Sequence, residues 1–218
     1  MLVKDIMQRD VVTVTPDTPL PKVLRLLQPR GFRHVPVIGN GLLVGIISDR
    51  DVKQALVSLA GSGLAGMGLE RAGECLTAAE MMQRAVTTVA PTSAVEEAAR
   101  LMTAQKISAL PVTEGGRLVG IVTETDVLEL FVRAMGVLEP SSRIDVVLPD
   151  PGTGLGEVVG TAEAAGSGVA SLLTLPGSAG EREVVLRLAT IDPRAAVAAL
   201  RNRGLLVRDA EPSASAGP

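Results

Sequence analysis

The strongest constraint on this chain is a single offset. The stretch from Gly45 to Asp51 (GIISDRD) returns 75 positions later as Gly120 to Asp126 (GIVTETD), and the same offset aligns the surrounding sequence without a gap. Pairs at this spacing include Met7/Met82, Gln8/Gln83, Arg9/Arg84, Val14/Val89, Pro16/Pro91, Pro36/Pro111, Val37/Val112 and Gly41/Gly116. Chance likeness between two helices would not carry the prolines and glycines along. Two copies, each longer than a solenoid unit, point to a pair of small domains stacked on each other rather than to a repeat array.

Each copy reads strand, helix, strand, strand, helix. The β-branched runs Val11–Val14 and Val86–Val89 are expected as short strands. Thr18 and Ser93 are placed as helix N-caps, with Pro19 at a first helical position and a capping box from Ser93 to Glu96. The following helix puts Leu20, Val23, Leu24 and Leu27 on one face, repeated as Val95, Ala98, Ala99 and Met102. His34–Ile38 and Leu42–Ile47 read as strands around a turn at Gly39-Asn40-Gly41, and Glu114-Gly115-Gly116 repeats that turn. Second helices are expected at about Asp49–Leu59 and Glu124–Met135. A Gly- and Ala-rich connection, with a weak helix signal at Leu69–Glu74, separates the copies.

After Arg143 the repeat stops. Strands at Ile144–Leu148, Val169–Leu175, Glu183–Ala189 and Leu205–Arg208 alternate with helices. One helix follows a turn at Pro149–Gly156 and carries Leu155, Val158, Val159 and Ala162. The other starts at Asp192 and Pro193 and ends at Gly204. The order is βαββαβ, the ferredoxin-like arrangement, and the whole chain is expected to be α+β. The boundaries expected are 1–60 and 78–138 for the copies, 61–77 for the linker, 143–210 for the last domain and 211–218 for a disordered tail.

Composition removes several functions. Of 218 residues only Phe32 and Phe131 are aromatic, which leaves no platform for stacking bases, and a net charge of -3 gives no basic field for nucleic acid. Cys75 is the only cysteine, so an intrachain disulfide is impossible and a reducing cytoplasm is expected. MLVKDIMQRD lacks the apolar run of a signal peptide, and no stretch reaches the roughly 18 apolar residues of a membrane span. His34 is the only histidine. Without partners it makes neither a metal site nor a triad, and no paired carboxylates accompany a nucleophile. The series Gly152-x-Gly154-x-Gly156 has neither the phosphate-loop nor the dinucleotide spacing.

Ser48-x-x-Asp51 and Thr123-x-x-Asp126 leave two readings open. A hydroxyl at N-cap with a carboxylate three residues on forms a capping box, worth about 1 kcal/mol. The paired oxygens of a carboxylate also suit the vicinal hydroxyls of a ribose.

The elements VVTV, RHVPV and LLVGIISDRD, with VTTV, SALPV and RLVGIVTETD, resemble a tandem pair of CBS domains over about Lys4 to Met135. That resemblance implies two clefts that take adenosine-containing ligands such as AMP, ADP, ATP or S-adenosylmethionine. It places Asp51 and Asp126 at ribose and Ser48 and Thr123 by phosphate. The backbone near Thr13, Thr88, Val35, Pro36, Leu110 and Pro111 would then line the adenine slot. Arg33, His34 and Arg50 of copy one correspond to Ser108, Ala109 and Thr125, so the copy-one cleft is expected to accept a more anionic ligand. The last domain resembles an ACT domain through Asp150, Gly152, Gly154 and Leu155 before its first helix. In that family an amino acid can bind at this point, and here a tight turn with dimerisation alone is the competing reading. Two CBS copies followed by such a domain also resemble acetoin-utilisation regulatory proteins of the AcuB type.

The expectation is a non-enzymatic cytoplasmic sensor. It forms a homodimer, binds an adenine nucleotide or S-adenosylmethionine as regulatory ligand, and acts on an unknown enzyme or protein. It makes no contact with nucleic acid or membrane. The alternative is a ligand-free homodimeric scaffold in which both aspartates only cap helices. An enzyme ranks third.

Overall fold

The computed structural model describes residues 1–27, 33–61, 76–148, 154–177 and 180–212. These form two compact units, Met1–Val127 and Leu128–Pro218.

In the first unit both copies build the same parts. Copy one has α1 (Leu20–Leu27), β1 (His34–Gly39), β2 (Leu42–Ser48) and α2 (Asp49–Gly61). A short helix α3 (Ala78–Met81) leads into copy two, which has α4 (Val95–Gln105), β3 (Ala109–Glu114), β4 (Arg117–Thr123) and α5 (Glu124–Ala134). The division between the units falls within α5. Strands β1 and β2 pair antiparallel, as do β3 and β4, and each pair shifts register at the same place, Val37/Ile38 and Val112/Thr113. The hairpin loops are Asn40-Gly41 and Gly115-Gly116, all four at positive φ. Two consecutive left-handed residues match the twist of the flanking strands, which explains the choice of Asn and Gly there.

The expected strands at Val11–Val14 and Val86–Val89 are reduced to one bridged residue each, Val14 beside Val37 and Val89 beside Val112, both parallel. Prolines account for this. The Val14 amide donates to the Pro36 carbonyl, and the Ile38 amide donates to the Val14 carbonyl. The next bond toward Val12 would need an N–H on Pro36, and the next one forward would need an N–H on Pro16. Neither exists. Pro111 and Pro91 truncate the second copy in the same way.

The expected caps of the first helices are also displaced. Helix α4 begins after Ala94, with no side-chain cap, while the Ser93 carbonyl accepts a bond from the Val3 amide. Thr18 turns its hydroxyl back to accept the Thr15 amide, and α1 starts two residues later, at Leu20. Both positions are occupied by chain from elsewhere: the Ala78 amide bonds to the Thr18 carbonyl, and Leu76 bonds to Leu20.

That intruding chain is the main feature of the unit. The segment preceding each copy packs into the other copy. Val3 and Met7 complete a core with Val89, Ala98, Met102, Leu110, Val112 and Val122. Ala78, Met81 and Met82 complete the core of Val14, Leu20, Val23, Val35, Val37, Ile47 and Val52. Backbone bonds fasten the exchange: Gln8 pairs with Ile121, and Gln83 pairs with Ile46, through two bonds each of 2.9–3.0 Å. A Cβ on Gly45 would collide with Met82, and one on Gly120 with Met7 and the Gln8 carbonyl. The glycine that opens each repeated motif is therefore the floor over which the exchanged segment crosses.

The second unit has β5 (Ser142–Leu148), α6 (Leu155–Ala164), β6 (Val169–Pro176), β7 (Arg182–Leu188), α7 (Arg194–Asn202) and β8 (Leu206–Pro212). The sheet order is β6-β7-β5-β8, antiparallel throughout. The order is that of the βαββαβ ferredoxin-like arrangement. Ile144, Val146, Leu148, Leu186 and Leu188 of the sheet share a core with Val158, Ala162, Ala196 and Leu200 of the helices. Asp192 caps α7 by accepting the Arg194 amide at 3.1 Å, one position earlier than the helix boundary suggests. Strand β8 runs to Pro212, past the start expected for a disordered tail, because Arg143 and Ser142 extend the pairing to Glu211 and Pro212. The helix signal at Leu69–Glu74 and residues 213–218 lie outside the described residues.

A methyl group at Gly45 or Gly120 must displace the crossing segment. Gly45→Ala and Gly120→Ala are each expected to lose about 1–3 kcal/mol in urea unfolding. Gly160→Ala, on open helix surface in α6, is expected to gain roughly 0.5–1 kcal/mol.

Candidate functional site

Each copy turns from strand into helix at a hydroxyl residue, and there the two carboxylates are held in matching geometry. Asp51 Oδ2 accepts the Ser48 amide at 2.7 Å and the Ser48 hydroxyl at 2.6 Å, while the Asp51 amide donates to Ser48 Oγ at 3.3 Å. Asp126 Oδ2 accepts the Thr123 amide and hydroxyl at 2.7 Å each, and the Asp126 amide donates to Thr123 Oγ1 at 3.3 Å. These are complete capping boxes. The first amides of the helices, on Asp49 and Glu124, donate to the carbonyls of Arg33 and Ser108. The start of each first strand thus anchors the start of the helix that follows its hairpin.

The other carboxylate oxygen points to the exchanged segment. Gln83 Nε2 donates to Asp51 Oδ1 at 3.0 Å, and Gln8 Nε2 donates to Asp126 Oδ1 at 3.3 Å. Two clefts open beside these pairs. One, of about 410 Å³, is lined by Asp126, Thr123, Thr125, Gln8, Asp10, Arg33, His34 and Ser108 among others. The second, of about 620 Å³, is lined by Asp51, Ser48, Arg50, Asp49, Lys53, Gln83, Arg33, His34, Lys106, Ser108 and Ala109 among others. His34 Nε2 and Ser108 Oγ lie 3.2 Å apart in a hydrogen bond, which places both residues on the wall shared by the two clefts.

That sharing changes the expected partition. Arg33 and His34 face both clefts, not copy one's alone, and Ser108 and Ala109 face the Asp51 cleft across the repeat. The remaining charges are unequal. Around Asp51 stand Arg33, Arg50, Lys53 and Lys106 against Asp49 and Asp51, whereas around Asp126 stands Arg33 against Asp10 and Asp126. One basic group is already engaged, since Lys53 pairs with Asp49 at 3.0 Å.

Other expected site residues lie apart from the clefts. Thr13 lines a separate hollow with Arg9, Gly41 and Arg117. Thr88 is exposed and lines neither cleft. The side chains of Val35 and Leu110 are fully buried in the cores, and Pro36 and Pro111 are buried beside them. These four can face a ligand only through backbone. Of the residues expected to meet an amino acid, Asp150 and Gly152 lie outside the described residues. Gly154 precedes α6 at φ +86°, and Leu155 is the first residue of that helix. Sequence reasoning paired Gln8 with Gln83 but gave them no task. It also passed over Asp10, Lys53 and Lys106, which no local motif marks. Among the described residues no group of three His, Cys, Asp or Glu side chains could hold a metal ion, and no helix is long and apolar enough to cross a membrane.

The CBS domain profile matches residues 3–58 and 78–133. The chain belongs to the CBS domain family. A CBS domain-containing protein of Dictyostelium discoideum is 35% identical over 144 residues, covering 65% of this chain and 99% of the relative. Among solved structures, an acetoin utilization protein (AcuB) from Vibrio cholerae is 30% identical with a TM-score of 0.52, over 63% of this chain and 94% of that one. The CBS domain pair of protein MJ0100, in complex with 5'-methylthioadenosine and S-adenosyl-L-methionine, is 30% identical with a TM-score of 0.50, over 60% and 95%. CBSX2 in complex with AMP is 28% identical with a TM-score of 0.50, over 61% and 96%.

Burial, followed by the nearby Arg33 charge, holds the His34 imidazole below its ordinary pKa, against an opposing pull from Asp49, Asp51 and Glu124. The unfolded chain therefore takes up this proton first. The contribution of His34 to stability is complete above about pH 6.5 and is lost as pH falls from there through the folded value. NMR titration of this single imidazole is expected to give a midpoint below 6.5. The loss of stability between pH 6.5 and 5 is expected to be smaller in His34→Gln.

Proposed function

We propose that the tandem pair is a regulatory sensor for an adenosine-containing ligand: AMP, ADP, ATP or S-adenosylmethionine. The observation that carries this reading is the duplicated carboxylate at each cleft, Asp51 and Asp126, in a fold whose solved relatives bind AMP, 5'-methylthioadenosine and S-adenosyl-L-methionine. In this reading the two aspartates hold ribose, and Ser48 and Thr123 lie by phosphate. Backbone near Val35 and Leu110 lines the adenine slot. The Asp51 cleft, with Arg33, Arg50 and Lys106, takes the more anionic ligand, and the Asp126 cleft takes one with less charge. Binding acts by favouring one arrangement of the protein over another.

The protein is a non-enzymatic homodimer, acting on a separate enzyme or protein in the reducing cytoplasm that its single cysteine suits. The ferredoxin-like order of the second unit supports an ACT-like domain, with an amino acid as its candidate ligand at the start of α6. One observation favours a second reading, a ligand-free scaffold: both oxygens of Asp51 and of Asp126 already have protein partners.

Calorimetry and thermal shifts with AMP, ATP and S-adenosylmethionine decide between them. A ligand at 100 times its dissociation constant adds about 2.7 kcal/mol of stability. Asp51→Asn and Asp126→Asn are each expected to weaken binding at their own cleft roughly 10- to 100-fold, the worth of hydrogen bonds to a charged group. Equal binding by the Asn variants removes the ribose role, and absence of any stabilisation leaves the scaffold. Arg50→Thr, which copies the residue at 125, is expected to weaken ATP more than AMP.

A further inference from the structure

We propose that Gln8 and Gln83 are occupancy latches, each carried by the leading segment of one copy and set on the ribose-binding carboxylate of the other. This inference rests on the sensor reading above and specifies how the clefts are gated. A carboxylate offers about four acceptor sites, two per oxygen. At Asp51, Oδ2 accepts both the amide and the hydroxyl of Ser48, and Oδ1 accepts Gln83. One site remains. A ribose diol donates two hydrogen bonds, so engaging Asp51 with both hydroxyls displaces one donor; Ser48 is tied into the capping box by the Asp51 amide, which leaves the Gln83 amide as the donor that gives way. The count is the same at Asp126, where Thr123 fills Oδ2 and Gln8 takes a site on Oδ1.

The backbone cannot follow the side chain. Gln83 and Ile46 exchange two main-chain bonds of 2.9 and 3.0 Å, and the segment packs over Gly45. Binding therefore swings only the glutamine side chain and removes a tie between a leader and the opposite helix. The wider Gln8 contact marks the weaker latch. Because the leaders are exchanged, a ligand in one copy's cleft is felt first by the segment that leads into the other copy.

The test is calorimetric titration of the full chain with AMP and with 2'-deoxy-AMP, on wild type, Gln83→Ala and Gln83→Met. Gln83→Met keeps the length of the side chain without its donor. AMP is expected to bind the Asp51 cleft about three- to tenfold tighter in both variants, since one hydrogen bond no longer competes. The deoxynucleotide needs a single acceptor site, so its affinity is expected to change less than twofold. Wild-type binding of AMP with equal or weaker binding by both variants overturns the latch and leaves the sensor reading standing. An equal gain for both nucleotides also overturns it, because competition with a diol then plays no part. Failure of AMP, ATP and S-adenosylmethionine alike to bind any of the three proteins overturns the sensor reading and the latch together.

Discussion

The reciprocal exchange of leading segments is the constraint on which the first unit depends. Neither copy owns a complete core: Val3 and Met7 belong to one by sequence and to the other by packing, and Ala78, Met81 and Met82 do the reverse. Burying a methionine or valine side chain is worth about 1.5–3 kcal/mol, and small domains have little stability to spare. Each half therefore relies on the other for a substantial share of its folding free energy. The glycines at 45 and 120 are the steric condition for this arrangement, since they let a second backbone pass within hydrogen-bonding distance of β2 and β4.

The exchange also makes the clefts composite. A carboxylate from one copy faces a glutamine from the other copy's leader, and a wall from both copies meets at the His34–Ser108 bond. Capping geometry is reproduced at both sites to within a tenth of an ångström, whereas the basic groups are not: Arg50, Lys53 and Lys106 line the Asp51 cleft without counterparts in the lining of the Asp126 cleft. Duplication has kept the scaffold of the two clefts and changed the charge that lines them.

Much of this was legible in the sequence. The repeat offset located both hairpins, their left-handed turns and both capping boxes, because these rest on contacts between residues three or four positions apart. The βαββαβ order was legible for the same reason. What sequence did not show depends on chain from far away. Ser93 looked like a cap, but its carbonyl receives Val3, some ninety positions earlier, and the helix begins one residue later than the capping box requires. Gln8 and Gln83 were visible only as a matched pair, since nothing local tells which carboxylate a glutamine will reach. Arg33 and His34 were assigned to one cleft because their position on a shared wall is a property of two copies together.

The prolines at 16, 36, 91 and 111 have a consequence beyond shortening two strands. A hairpin rich in valine and isoleucine, with one flank able to accept a further strand, is a template for recruiting stray chain from another molecule. Here that flank holds a single bridge and then meets residues with no proton to donate on either side. An incoming strand finds no run of consecutive donors along it. In a chain this apolar, the same four residues that interrupt the ladder serve as guards against aggregation through the sheet edge.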